Sequence, residues 1–217
     1  HAEVAASEAV QTKIPALAGL AGSIGDRHVR NRGTIGGSLA NNDPAADYPA
    51  AALGLGATIV TDRRELAADD YFVSLFETAL EPDEIITRIV FPIPDAAGYA
   101  KFRHPASRYS IAGVFISRKG KDVRVAVTGA GARGVFRATN FEQALAKDFR
   151  AEALEGRGLH PVGQDRPERD QVGVDAGVRL RIGLRRAEQL PGMLVGQRLD
   201  PVDVLAGRLE AVSDRAL

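Results

Sequence analysis

The sequence predicts an α+β fold, with small antiparallel sheets interleaved among helices. Three observations lead there. Ala- and Leu-rich helical stretches alternate with short strand-like runs. Lys119-Gly120-Lys121 joins two of those runs as a hairpin turn. The steady βαβ alternation of a parallel sheet is missing.

The elements follow in order. Residues 2–12 read as one helix, and Pro15 opens another, IPALAGLAGSIG. From Gly25 to Asp43 the chain is rich in Gly, Asn and Arg and reads as loop. A helix is expected from Pro44 to about Leu55. Ala57–Thr61 and Arg64–Ala67 then form a short hairpin, Asp69–Leu80 an amphipathic helix, and Ile85–Pro92 a strand. Pro92, Pro94, Asp95 and Gly98 punctuate the chain as a candidate boundary. Tyr99–Arg103, Ile111–Arg118 and Val123–Thr128 are strand-like, and Thr139 or Asn140 caps a helix, FEQALAKDF.

Composition sets further bounds. The 217 residues suit one compact domain or two small ones. Lys and Arg number 28, as do Asp and Glu, a balance that argues against a dedicated nucleic-acid binder. With no cysteine, there is no disulfide, no thiolate nucleophile and no iron–sulfur cluster held by these residues. The four histidines lack metal-ligand spacing. No apolar run approaches the ~20 residues needed to span a bilayer, so a soluble protein is expected. The chain opens on His1 without a signal peptide, as a fragment or processed chain would. All eight Phe and four Tyr lie in residues 1–149, whereas residues 150–217 carry 11 of the 23 Arg. The two stretches are not expected to share one core equally.

The segment that carries chemistry is Asp26–Ala52. Gly33, Gly36 and Gly37 flank Thr34-Ile35, so backbone N–H groups can approach a ligand with no Cβ between. Thr34 and Ser38 add hydroxyls, and Asn41-Asn42-Asp43 before Pro44 predicts a cap and a helix N-terminus beside the glycine turn. Phosphate or sugar oxygens fit such a concavity. On glycines alone, a tight turn is the plainer reading. Asp47 reads as a carboxylate favouring the helix dipole, and Pro49 as a kink. Gly129–Gly134 matches G-x-G-x-x-G after a strand, but no helix opens inside the glycines. It reads as a turn between strands. A nicotinamide-dependent dehydrogenase built on it is the weaker rival.

Residues His1 to about Phe149 resemble the FAD-binding medium subunit of the molybdenum hydroxylases, of the carbon monoxide and xanthine dehydrogenase type. The resemblance rests on AEVAAS, IPALAGLAGSIGDRHVRNRGTIGGSLANNDPAADYPAA, LFETALEPDEIITRIVFPIP, KFRHPASRYSIAGVF and VRVAVTGAGARGVFRAT. It implies a PCMH-type FAD-binding domain over residues 1–94, from which the N-terminal subdomain is missing. A small antiparallel-sheet-plus-helix domain follows over 95–156. It implies FAD as cofactor, held by Thr34, Ile35, Gly36, Gly37 and Ser38 of the second flavin loop, with Asp47 as an acidic contact. Ile24 and Ile86 would line the site, Lys101 would lie near the flavin, and Tyr109 would sit on a loop covering one flavin face. His1 resembles the end of a Thr-Thr-His segment bordering FAD. Without the family, Ile24 and Ile86 are ordinary core residues, Lys101 a surface charge and Tyr109 a packed aromatic.

The family's division of labour completes the expectation. Molybdopterin on a large partner subunit and 2Fe-2S clusters on a small one would lie outside this chain, in a cytoplasmic, not membrane-spanning complex. FAD would pass electrons to an acceptor. The family's first flavin loop would precede His1, so the fragment alone is expected to bind FAD weakly or not at all and to be inactive. The rival from another class is a non-catalytic assembly module that keeps the scaffold without stable FAD binding. Residues 157–217 match nothing expected there and read as an atypical tail, explained by a frameshift or misassembled reading frame.

Overall fold

The computed structural model describes residues 1–155, 157 and 202–205. Six helices precede the first strand: α1 (Ala2–Ala6), α2 (Glu8–Lys13), α3 (Pro15–Gly22), α4 (Arg27–Arg32), α5 (Ile35–Asn41) and α6 (Tyr48–Leu55). The expected single helix over 2–12 is broken at Ser7, whose side chain accepts from Val10 N and caps α2. Pro15 opens α3 as the sequence predicts.

The expected loop over 25–43 is instead two helices. Asp26 caps α4 through Val29 N, and Thr34 caps α5 through Gly37 N. Two glycines weaken a helix by about 1 kcal/mol each, but Ile35 and Leu39 are buried and anchor α5 against the core. The helix expected from Pro44 starts later, at Tyr48. Pro44 lies in a turn, and Pro49 sits in the first turn of α6, where a missing N–H leaves no bond unmade and no kink follows.

Next come β1 (Thr58–Thr61), β2 (Glu65–Ala67), α7 (Ala68–Tyr71), β3 (Phe72–Ser74), β4 (Glu77–Thr78) and β5 (Ile86–Phe91). β1 and β2 form the expected hairpin. The amphipathic helix over 69–80 does not form beyond Tyr71. Asn42 Nδ2 donates to Ser74 O at 2.8 Å and Glu77 O at 2.9 Å, and Phe76 takes a left-handed φ of 56°. Those long-range bonds hold β3 and β4 as a hairpin.

The remaining elements are β6 (Ala96–Arg103), β7 (Ser110–Lys119), β8 (Asp122–Thr128), β9 (Phe136–Arg137), α8 (Thr139–Lys147), a 3-10 turn at Ala151–Leu154, and β10 (Val202–Leu205). Gly98, read as punctuation, lies inside β6. Neither Thr139 nor Asn140 caps α8, since its preceding residue is Ala138. The Lys119–Lys121 turn forms as expected, with Gly120 at φ 59°. Apart from Arg157 and the backbone of β10, the atypical tail lies outside the described residues.

Two four-stranded sheets result, in the orders β10-β5-β1-β2 and β6-β7-β8-β9, and every described strand pair is antiparallel. Side chains alternate across the second sheet. Tyr99, Phe115 and Ala126 face the main core, which reaches back through α6 to α1. Val114, Ile116, Val123, Val125 and Val127 face the opposite way, onto Phe141 and Leu145 of α8. The sheet is thereby sandwiched, with α6 on one side and α8 on the other. No helix among the described residues is long and apolar enough to cross a membrane.

Candidate functional site

The face of the second sheet turned toward α6 carries polar residues at its open end. Tyr99 and Lys101 are two apart on β6, so both point to this face. Register places Phe115 opposite Tyr99, Gly113 opposite Lys101, and Thr128 opposite Gly113. A register shift between Phe102 and Arg103 brings Ser110 to the same place.

Asp47 enters this cluster from the residue before α6. Its side chain does not cap the helix. Instead Oδ1 accepts from Tyr99 Oη and, at 2.9 Å, from Ser110 Oγ, while Oδ2 accepts from Lys101 Nζ at 2.9 Å. The Lys101 and Asp47 side chains are 3% and 1% exposed. Withdrawing both charges from water costs about as much as their attraction returns, so fold stability alone gives no reason for the pair. Burial pulls the Lys101 ammonium below its usual range, with Asp47 opposing. Burial and the neighbouring carboxylate push the Tyr99 phenol well up, so it stays a donor.

The predicted glycine loop becomes a helix start. Thr34 Oγ1 accepts from Gly37 N at 3.0 Å, and the N–H groups of Ile35 and Gly36 have no acceptor within the helix. A Cβ on Gly37 would lie 2.9 Å from Thr34 Oγ1 and disturb that cap. Thr34 and Gly37 are exposed, Ser38 is half-buried, and Ile35 and Gly36 are buried. The His1 ring lies against Gly33 and 5.1 Å from the Tyr48 ring. The Tyr48 hydroxyl is buried with no hydrogen-bond partner among the described residues, and burial raises its pKa.

Among the other expected site residues, Ile24 and Ile86 are buried in the main core. Tyr109 is 43% exposed on the β6–β7 loop and is not drawn into the Asp47 cluster. Sequence reasoning missed Tyr99, Ser110, Gly113 and Thr128. The two-residue spacing of Tyr99 and Lys101 was the one available signal. Gly129–Gly134 is a turn leading from β8 to β9, with φ of 82° and 97° at its ends and no helix within.

Residues 1–94 match the model of a family described as the FAD binding domain in molybdopterin dehydrogenase. The match takes in 94 of the 217 residues. Curated relatives extend the likeness to medium subunits. The nicotine 6-hydroxylase medium subunit of Paenarthrobacter nicotinovorans is 38% identical over 140 residues, covering 60% of this chain and 50% of that protein. The carbon monoxide dehydrogenase medium chain of Hydrogenophaga pseudoflava is 32% identical over 165 residues, covering 70% and 58%. The chain thus spans about half the length of these relatives. Among solved structures, reconstituted CO dehydrogenase from Oligotropha carboxidovorans superposes with a TM-score of 0.70 at 27% identity, covering 85% of this chain and 71% of that one. Quinoline 2-oxidoreductase from Pseudomonas putida 86 gives 0.70 at 25% identity, covering 86% and 71%. The expected family, the α+β class and FAD as the family's cofactor all agree with these findings.

The residues present fit such a cofactor. Gly37 leaves open a helix start that a Cβ would crowd. Tyr48 holds a buried hydroxyl that lacks a partner among the described residues. Asp47 and Lys101 set an acceptor beside a donor.

Proposed function

We propose that this chain is the flavin-carrying subunit of a molybdenum hydroxylase in the cytoplasm. On this reading it relays electrons from the iron–sulfur clusters of a small subunit through FAD to an acceptor. The observation that carries it is the buried Asp47–Lys101 pair, set in a fold whose first 94 residues match an FAD-binding family. FAD, when bound, supplies the redox chemistry, and the chain's part is to hold and orient it.

The chain's own residues divide that work. The first-turn N–H groups of α5 and the Thr34 and Ser38 hydroxyls would bind phosphate or polyol oxygens. Asp47 would accept from, and Lys101 donate to, polar groups of the cofactor. Ile24, Ile35 and Ile86 would exclude water, and Tyr109 would lie over an exposed side. Residues 1–94 and 95–156 act as two cooperating units, the second supplying Lys101 and Tyr109. With no cysteine in the sequence, the clusters belong to another subunit. Substrate oxidation belongs to a large molybdopterin subunit, so this chain alone is inactive.

Incubation of the complete subunit with FAD tests the reading. A bound flavin gives a perturbed yellow spectrum, and Gly37→Val and Asp47→Ala should each lower flavin content. Unchanged content in both variants would overturn the site. A complete subunit that stays colourless would favour the assembly module.

A further inference from the structure

The groups that hold Asp47 lie outside the segment matched to the FAD-binding family. That match ends at residue 94, whereas Tyr99, Lys101 and Ser110 come later, on the second sheet. A carboxylate oxygen has two lone pairs. Oδ1 of Asp47 directs one to Tyr99 Oη and the other to Ser110 Oγ. Oδ2 receives Lys101 Nζ and keeps a second acceptor direction. Both hydroxyl groups are buried, Tyr99 at 8% and Ser110 at 4% exposure, and stand 3.2 Å apart. The backbone ahead of Asp47 is fixed from the same face, since Thr128 Oγ1 donates to Pro44 O at 3.0 Å and Ala46 O at 2.9 Å.

We propose that Tyr99 and Ser110 are positioning residues of the flavin site, acting through Asp47. They lock Oδ1 and thereby turn Oδ2, beside the Lys101 ammonium, into the acceptor left for a donor group of FAD, a hydroxyl or a ring N–H. Thr128 serves the same end by holding the turn that delivers Asp47. The inference rests on the flavin reading above and extends it: a second sheet, outside the matched domain, sets the orientation of a first-domain carboxylate.

The test uses the complete subunit, with FAD affinity from flavin fluorescence, the visible spectrum of bound flavin, and melting temperature recorded together. Tyr99→Phe removes one hydroxyl and keeps the ring. Losing a donor to a charged acceptor should weaken FAD binding about tenfold and shift the bound-flavin band. Ser110→Ala should act in the same direction and carries the test if Tyr99→Phe does not fold. In an Asp47→Asn background, either change should add little, because both act through that carboxylate.

Full affinity and an unchanged spectrum in Tyr99→Phe and Ser110→Ala, with Asp47→Asn weakened, would overturn the proposal and leave the flavin site standing. Fully additive losses in the double variant would also overturn it, since they mark a general structural role. If Asp47→Asn and Gly37→Val both bind FAD normally, the assigned flavin site fails, and the proposal with it, whereas a complete subunit that takes up no FAD at all overturns the flavin reading.

Discussion

The two faces of the β6–β9 sheet are built from the same three long strands and do opposite things. Toward α8 the face is Val114, Ile116, Val123, Val125 and Val127, closed by Phe141 and Leu145. Toward α6 it begins the same way, with Phe115 and Ala126 in the main core, and then turns polar at Tyr99, Lys101, Ser110 and Thr128. Apolar burial yields stability in proportion to area, wherever the contacts fall. A buried ion pair returns little net stability but demands defined geometry. One face therefore serves the fold, and the end of the other holds the polar cluster proposed above as part of a flavin site.

The largest effects should separate the faces. Lys101→Met leaves the Asp47 charge buried without its ammonium and should cost about 3–5 kcal/mol in urea unfolding. Adding Asp47→Leu should return most of that loss without restoring FAD binding. A Lys101→Met protein as stable as the parent would show that the pair is not buried. Phe141→Ala, on the opposite face, should destabilise by a similar amount, about 3–5 kcal/mol, yet leave FAD affinity per folded molecule unchanged. A fall in that affinity would mean the two faces are coupled.

A second carboxylate sharpens the contrast by being structural. Glu84 bonds Arg64 Nη2 at 2.9 Å and Thr61 Oγ1 at 2.8 Å. Arg64 and the Glu81 N–H hold its carboxyl down to about 2, from an ordinary 4.5. A depressed folded-state pKa gives stability that is present above pH 4.5 and lost as pH falls toward 2. The melting temperature should drop through that window, and Glu84→Gln should flatten the drop. FAD affinity at neutral pH should not change in this variant.

The smallest effect belongs to the exposed cap. Thr34→Ala should cost about 1 kcal/mol, and Thr34→Ser should restore it in thermal unfolding. Equal stability in all three proteins would mean α5 does not depend on its cap.

The parts legible in the sequence were those set by neighbours in the chain. The β7–β8 hairpin follows from alternation and a glycine turn, and β1–β2 from a short run and its return. The glycine pair misled in the other direction. Gly36 and Gly37 have no helical preference of their own, so α5 forms because Ile35 and Leu39 have a core to enter. The hairpin at 72–78 was hidden for a like reason, since Asn42, which pins it, lies some thirty residues earlier. Asp47 and Thr34–Ser38 could be flagged from the TIGGSLANNDPAADYPAA segment, and Lys101 from the resemblance. Their partners could not. Tyr99 is 52 positions from Asp47 and Ser110 is 63, and no periodicity links such distances before the sheet exists.

Gly113 links this geometry to inheritance. A Cβ there would lie 2.5 Å from the Tyr99 hydroxyl and 3.2 Å from Ser110 Oγ. A side chain at 113 and a hydroxyl at 99 therefore exclude one another. In descendants of this chain the two positions are expected to change together or not at all: glycine stays wherever tyrosine does, and larger residues at 113 follow only after the phenol is gone.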